Sequence, residues 1–372
     1  MFFREVHHQD RAQRLLAAAL RSKRFPHALL FHGPEGVGKE LTATALAARL
    51  QCERSEPDDL EPCGECNSCR VFAKGSHPDF HLIHRGLRHF HPDRTIRASK
   101  GLFLVVDLIR HFLIEPAGKK PMVGARRVFV IRDAERMNEE AQNAILKTLE
   151  EPPPLTTLIL VTSSADRLLQ TIRSRCAPIA FGLLPRTFLH ERLVAQGQLP
   201  DTDARALAEL ADGRLGTALH WHACGLLELL PRVFKLPQYA ASPEAFGKEA
   251  LDISESLARM MESTVGEADT ADEDSASKKR SASASKAIGT DVLRDALKVV
   301  LSLVAMQLRA EMLAAVGAGE TSALATGMRT GGDEIGLADQ LDLTQRYAAM
   351  LDRNVAPQLV CEALAVQLAT GH

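Results

Sequence analysis

The sequence predicts an α/β fold, a parallel sheet with flanking helices, followed by chain that is helical throughout. Three observations predict it. Ala28–Phe31 ("ALLF"), Val128–Ile131 ("VFVI") and Leu158–Thr162 ("LILVT") are near-continuous apolar runs, the pattern of strands buried on both faces of a parallel sheet. The glycine-rich stretch Gly33–Lys39 ("GPEGVGK") lies between the first run and a helical segment, where a phosphate-cradling loop belongs. From about Pro185 onward the apolar residues recur at helical spacing only.

The first run feeds "GKELTATALAARL", a helical stretch starting at the loop's own lysine. After the second run, "NEEAQNAILKTLEE" opens on Asn138 as N-cap and places Glu139 and Glu140 in the first turn, where the helix dipole favours acids. It stops before Pro152. Strand, helix and strand in this order make an α/β domain over residues 1–184. "DTDARALAELADG" begins at an Asp/Thr cap and ends at Gly213, one of two short helical repeats that form a small all-α lid domain over residues 185–225. "DVLRDALKVVLSLVAMQLRAEMLAAVG" is a long amphipathic helix, and "LDLTQRYAAMLDRNVAPQLVCEALAVQL" continues the periodicity, so residues 226–372 read as an all-α C-terminal domain. Within it, residues 262–286 are acidic, then basic, rich in Ser and Ala and without an aromatic. They are expected to be a disordered insertion.

The 372 residues are 45% hydrophobic and 25% charged with a formal net charge of -2, so no global attraction to nucleic acid or anionic membrane operates and any such contact must be local. The start has no apolar signal core, and the stretch "VVLSLVAM" falls far short of the ~20 residues of a membrane span. The expectation is a cytoplasmic protein with no membrane partner.

In a phosphate loop, glycines let backbone N–H groups wrap the phosphates, the lysine reaches the β and γ phosphates, and a Ser or Thr hydroxyl ligates Mg²⁺. Gly33, Gly36, Gly38 and Lys39 supply the cradle, but the Ser/Thr place holds Glu40. Thr42 cannot replace it, because two residues along a helix turn it by about 200°. A glycine-rich turn that holds no nucleotide fits the same residues. Hydrolysis also needs an acid at the end of the next core strand to hold Mg²⁺, and there the chain has Arg132 followed by a single Asp133. Two departures in two motifs read as a site that no longer turns ATP over, with ATP or ADP bound weakly if at all.

Four of the seven cysteines cluster as Cys52-x10-Cys63-x2-Cys66-x2-Cys69. Thiolates at this spacing can close around one tetrahedral ion, and four ligands leave no open position, so zinc here would be structural. Free thiols or a redox pair are the alternatives. Cys224 and Cys361 read as small buried hydrophobes. "TIRSRC", Thr171–Cys176, presents Arg175 either as a solvated charge or as a functional arginine. His77, His81, His84, His89 and His91 lie among Arg85, Arg88, Arg94 and Arg97 without ligand spacing, a solvated loop or a stretch covered by a partner rather than a metal or DNA site.

The stretches "FPHALLFHGPEGVGK", "SHPDFHLI", "VFVIRDAERMNEEAQNAILKTLEEPP" and "LLQTIRSRCAPIAF", with the cysteine cluster, span about Phe25 to Phe181. Together they resemble the bacterial clamp-loader subunits of DNA polymerase III, of the AAA+ class. The resemblance implies an AAA+ domain, a lid and a collar-like oligomerisation domain. It implies a ring with ATPase subunits of the gamma/tau type and a clamp-opening delta subunit, loading a sliding clamp on primed DNA. It also implies that Arg175 projects into a neighbouring subunit's nucleotide site as an arginine finger. In "ADGRLGTAL" the nucleotide-sensing Arg of ATPase members is replaced by Gly216, with Arg214 two residues away. The leading expectation is a non-hydrolysing subunit. An active ATPase of the gamma/tau type is the alternative, and a zinc-dependent DNA-binding module is a third reading.

Overall fold

The computed structural model describes residues 3–22, 25–56, 59–98, 103–197, 199–239, 242–269, 289–315, 334–351 and 355–370. Their contacts divide the chain into two compact units, Met1–Leu189 with Ala211–Thr217, and His190–Leu210 with Ala218–His372.

The first unit is built on five strands: β1 (Ala28–His32), β2 (Phe80–Ile83), β3 (Arg127–Ile131), β4 (Thr156–Thr162) and β5 (Ala177–Ala180). They pair in parallel in the order β2-β3-β4-β1-β5. β3 and β4 are buried along their whole length, and their successive side chains divide between two cores. Leu30, Phe129, Ile131, Leu158 and Leu160 join Ala141, Ile145 and Leu149 of the helix Glu139–Glu150 on one face. Leu29, Phe31, Val128, Val130 and Ile159 join α1 (Asp10–Arg21) and α2 (Lys39–Gln51) on the other. Burial on both faces is why these strands read as unbroken apolar runs. Each such side chain contributes roughly 1.5–3 kcal/mol by leaving water.

The two edge strands carry no such run, and the sequence pattern missed them. β2, "FHLI", buries only its last residue fully, and β5, "APIA", contains Pro178 and alternates in exposure. Proline lacks the N–H that a central strand must donate, which suits it to an edge.

The helix Glu139–Glu150 is capped as its sequence predicts, with the Asn138 side chain accepting the Ala141 N–H at 3.0 Å. The order of the sheet sets the C-terminal ends of β1, β4 and β3 side by side, so the glycine-rich loop after β1 and the residues after β3 converge.

Among the described residues, the second unit is helical. Pro243–Asp269, Thr290–Ala315, Glu334–Leu351 and Pro357–Thr370 pack around a core that includes Phe246, Leu257, Leu301 and Leu364. Pro357 occupies the first turn of its helix, where its missing N–H costs nothing. Of the expected insertion, residues 262–269 continue the first of these helices. The remaining residues, 270–286, lie outside those described. Cys224 and Cys361 are buried, as a small hydrophobe would be. No helix among the described residues is long and apolar enough to cross a membrane.

Candidate nucleotide cradle, metal centre and arginine

The cradle has the backbone its glycines allow. Gly33, Gly36 and Gly38 all take positive φ, at 143°, 74° and 95°, a region that side chains disfavour. Gly33 is also pressed against the residue that follows β5: a Cβ there would come 2.3 Å from the Phe181 carbonyl oxygen. Lys39, 7% exposed, folds back on the loop and donates to the carbonyl oxygens of Gly33 at 2.6 Å and of Pro34. Burial pulls its pKa below the ordinary lysine value, against the nearby Glu135, Glu35 and Asp133.

The metal half of the site is replaced by a pair of charges. Glu40, one residue into α2, forms an ion pair with Arg132, the residue after β3, and both side chains are about one-third exposed. A carboxylate stands where a neutral hydroxyl would hold Mg²⁺, and a guanidinium where the acid would be. Thr42 turns inward, its hydroxyl donating to Gly38 O at 2.8 Å. Asp133 follows in a left-handed conformation with φ of 52°. Burial raises its pKa, helped by Glu135 and opposed by Arg85.

Gly216 closes over the loop. Its N–H donates to Gly36 O at 2.8 Å, and a Cβ at position 216 would lie 3.1 Å from the Gly36 Cα. A side chain at position 216 would require the loop at Gly36 to give way by a few tenths of an ångström.

The four cysteines come together as their spacing predicts. Cys52 caps α2, Cys66 precedes the helix α3 (Asn67–Ala73), and the Sγ atoms of Cys52, Cys63, Cys66 and Cys69 all lie within 4.8 Å of one another. A tetrahedral zinc thiolate sets sulfurs about 3.8 Å apart, from Zn–S bonds of about 2.3 Å. The Cys63–Cys69 separation of 3.9 Å fits that distance. Backbone N–H groups point at sulfur, among them Cys63 to Cys52, Cys66 to Cys63 and Cys69 to Cys66, at 3.3–3.4 Å. Such donors stabilise thiolates, and those from Glu65 and Cys66 lower the Cys63 pKa to about 6, while burial raises the pKa of Cys52 and of Cys69. The cluster can hold a metal ion. The loop between its first two cysteines is tied to α2 by Arg49, which donates to Asp59 O at 2.6 Å and to Glu56 O and Ser55 Oγ.

Arg175 lies in the turn between the short helix Gln170–Arg173 and β5. Its guanidinium donates to Glu150 Oε1 at 2.6 Å and to Thr171 O at 3.0 Å.

Residues 8–184 match a family model described as "DNA polymerase III, delta subunit". Over this segment the chain is similar to subunits of DNA polymerase III. DNA polymerase III subunit delta' of Pseudomonas aeruginosa is 38% identical over 228 residues, 59% of this chain and 64% of that protein. The subunit delta' of Bacillus subtilis is 33% identical over 204 residues, 55% of this chain and 56% of that protein. The tau/gamma subunit of Haemophilus influenzae is 32% identical over 218 residues, 58% of this chain and 29% of that protein. The aligned part of the chain thus spans about three fifths of the length of the two delta' relatives.

Within the matched segment, the histidine-rich stretch resolves into internal contacts. His77 is buried, with Nε2 2.9 Å from Ser68 Oγ and Nδ1 accepting the Asp79 N–H at 3.2 Å. His81 stacks on Phe129 at 4.7 Å, and burial beside Arg127 takes its pKa to about 4, so it is neutral at pH 7. His84 and His91 accept the N–H groups of Gly86 and Asp93 in tight turns. His89, Phe90 and Arg94 are exposed.

Spacing singled out neither Asp79 nor Glu150. Asp79 is wholly buried, and its carboxylate gathers the backbone N–H groups of Met122, Val123 and Gly124 at 2.7–2.9 Å and the Arg127 guanidinium at 3.2 Å. Burial works to raise its pKa, but those donors overcome it and hold the carboxyl below the usual aspartate value. Each acid is unremarkable in sequence because its partners are distant along the chain or belong to backbone.

Proposed function

We propose that this chain is a delta'-type clamp-loader subunit that does not hydrolyse ATP and lends Arg175 to the nucleotide site of a neighbouring ATPase subunit. The observation that carries the reading is the Glu40–Arg132 ion pair. It fills both metal-holding positions with each other's counter-charge, while Lys39 is taken up by carbonyls of its own loop. Hydrolysis depends on Mg²⁺ to neutralise charge between the β and γ phosphates, and a guanidinium in place of the acid cannot ligate it. Where ATP or ADP binds, Gly33, Gly36, Gly38 and Lys39 would hold its phosphates.

An arginine supplied in trans stabilises charge on the transferring phosphoryl group and is worth about 10³–10⁵ in rate in related NTPases. Arg175 can therefore serve catalysis in a subunit that has none of its own. The partners in this reading are gamma/tau ATPase subunits and a delta subunit, acting on a sliding clamp and primed DNA in the cytoplasm. The likeness to the delta' relatives from two organisms supports it. Zinc is the metal that four buried or half-buried cysteine sulfurs favour, in a closed structural site.

The alternative, an active ATPase of gamma/tau type, draws on the retained Lys39 and on the 32% identity to a tau/gamma subunit. ATPase assays separate the two. The chain alone should be silent, and Arg175→Ala should slow DNA-stimulated turnover in a loader reconstituted with gamma/tau and delta subunits. Turnover by the chain alone that is abolished by Lys39→Ala would refute the scaffold reading.

A further inference from the structure

We infer that Glu150 is a positioning residue for Arg175, holding the guanidinium in the orientation that a neighbouring nucleotide site receives; the inference rests on the trans-arginine reading above. Glu150 is the last residue of the helix Glu139–Glu150. Carboxylates are disfavoured at that end, because the unsatisfied carbonyls there carry partial negative charge. Local helix energetics therefore do not explain an acid at this place. What it does in the fold is accept from Arg175 Nη2 at 2.6 Å, across 25 residues of sequence. The second hold is Thr171 O on Nη1 at 3.0 Å, from the short helix just before the arginine.

A guanidinium has five N–H donors in a fixed plane. Two acceptors on two different nitrogens fix that plane and leave three donors available. Arg175 keeps 35% of its side chain exposed and Glu150 keeps 50%, so the clamped group remains reachable from outside the chain. Holding a reacting group in place in advance removes ordering entropy from the catalytic step. Glu150 itself touches no substrate in this scheme and acts only through the arginine.

The test uses the full chain in the reconstituted loader, reading kcat and KM for ATP under DNA stimulation. Glu150→Ala should lower kcat about 3- to 10-fold with KM unchanged, from lost orientation alone. Glu150→Gln retains a carbonyl acceptor for Nη2 and should recover most of the rate. In an Arg175→Ala background, Glu150→Ala should have no further effect. Unfolding midpoints of the variants, measured in parallel, register any loss of fold. If Arg175→Ala slows turnover but Glu150→Ala does not, or if the two losses multiply, the positioning role is wrong while the trans-arginine reading stands. If Arg175→Ala has no effect, both fall together.

Discussion

Replacing Asp79 by Asn removes one charge from a buried knot and leaves its shape. The carboxylate takes N–H groups from Met122, Val123 and Gly124 on both of its oxygens and faces the buried Arg127. An amide keeps one acceptor oxygen and turns an NH₂ toward donors, so at least one backbone N–H loses its partner. Arg127, 4% exposed, loses its counter-charge and keeps only the carbonyls of Pro116 and Lys120. Hydrogen bonds to charged groups are worth about 1.5–3 kcal/mol each, and breaking a buried pair costs about 3–5 kcal/mol. The expected loss is about 3–5 kcal/mol, a large part of a typical stability of about 5–15 kcal/mol.

Urea titration followed by far-UV circular dichroism measures that loss, and hydrogen exchange at the amides of residues 122–124 locates it. Because the folded carboxyl titrates below its unfolded value, the stabilisation is fully present above about pH 4, the unfolded aspartate range. It declines as pH falls through the lower folded value. The gap between wild type and Asp79→Asn should therefore be constant near neutrality and narrow in acid. A loss under about 1 kcal/mol, or a gap that stays constant to pH 2, would refute the account of the knot.

Other outcomes follow from the same geometry. A double-mutant cycle on Glu40→Ala and Arg132→Ala should give a coupling of only about 0.2–1 kcal/mol in urea titrations, because both groups are about one-third exposed and water screens them; a coupling above 2 kcal/mol would mean the pair is far drier than described. Purified protein should carry one zinc per chain by metal analysis, and Cys69→Ser should lower that content and expose residues 52–74 to proteolysis; full zinc retention would refute four-sulfur ligation. Gly33→Ala should cost at least 1 kcal/mol, since its Cβ meets the Phe181 carbonyl in a strained backbone region; an unchanged melting temperature would contradict that contact.

The sequence made the central sheet legible wherever strands are buried on both faces. β1, β3 and β4 announce themselves, while β2 hides behind histidine and β5 behind Pro178, because an edge strand has no need of an apolar run. Asn138 and the cysteine cluster were readable since a cap and a set of thiols at ligand spacing lie close together in sequence. Glu40 and Arg132 were each visible as departures from a motif, but a pairing across 92 positions is a property of the folded sheet. Asp79 and Glu150 lay beyond reach for the same reason: an acid on its own does not say which backbone amides or which arginine it will meet.

In the non-hydrolysing reading proposed above, the Glu40–Arg132 pair also means that a Mg²⁺ site cannot be built by one substitution. Introducing an acid alone, by Arg132→Asp, would set a new carboxylate against Glu40 and Asp133, a concentration of negative charge with no cation yet held. Introducing the hydroxyl alone, by Glu40→Thr, would leave a lone guanidinium at the place a divalent ion needs. Either single substitution leaves one charge of the pair without its partner, so the two positions would have to change together.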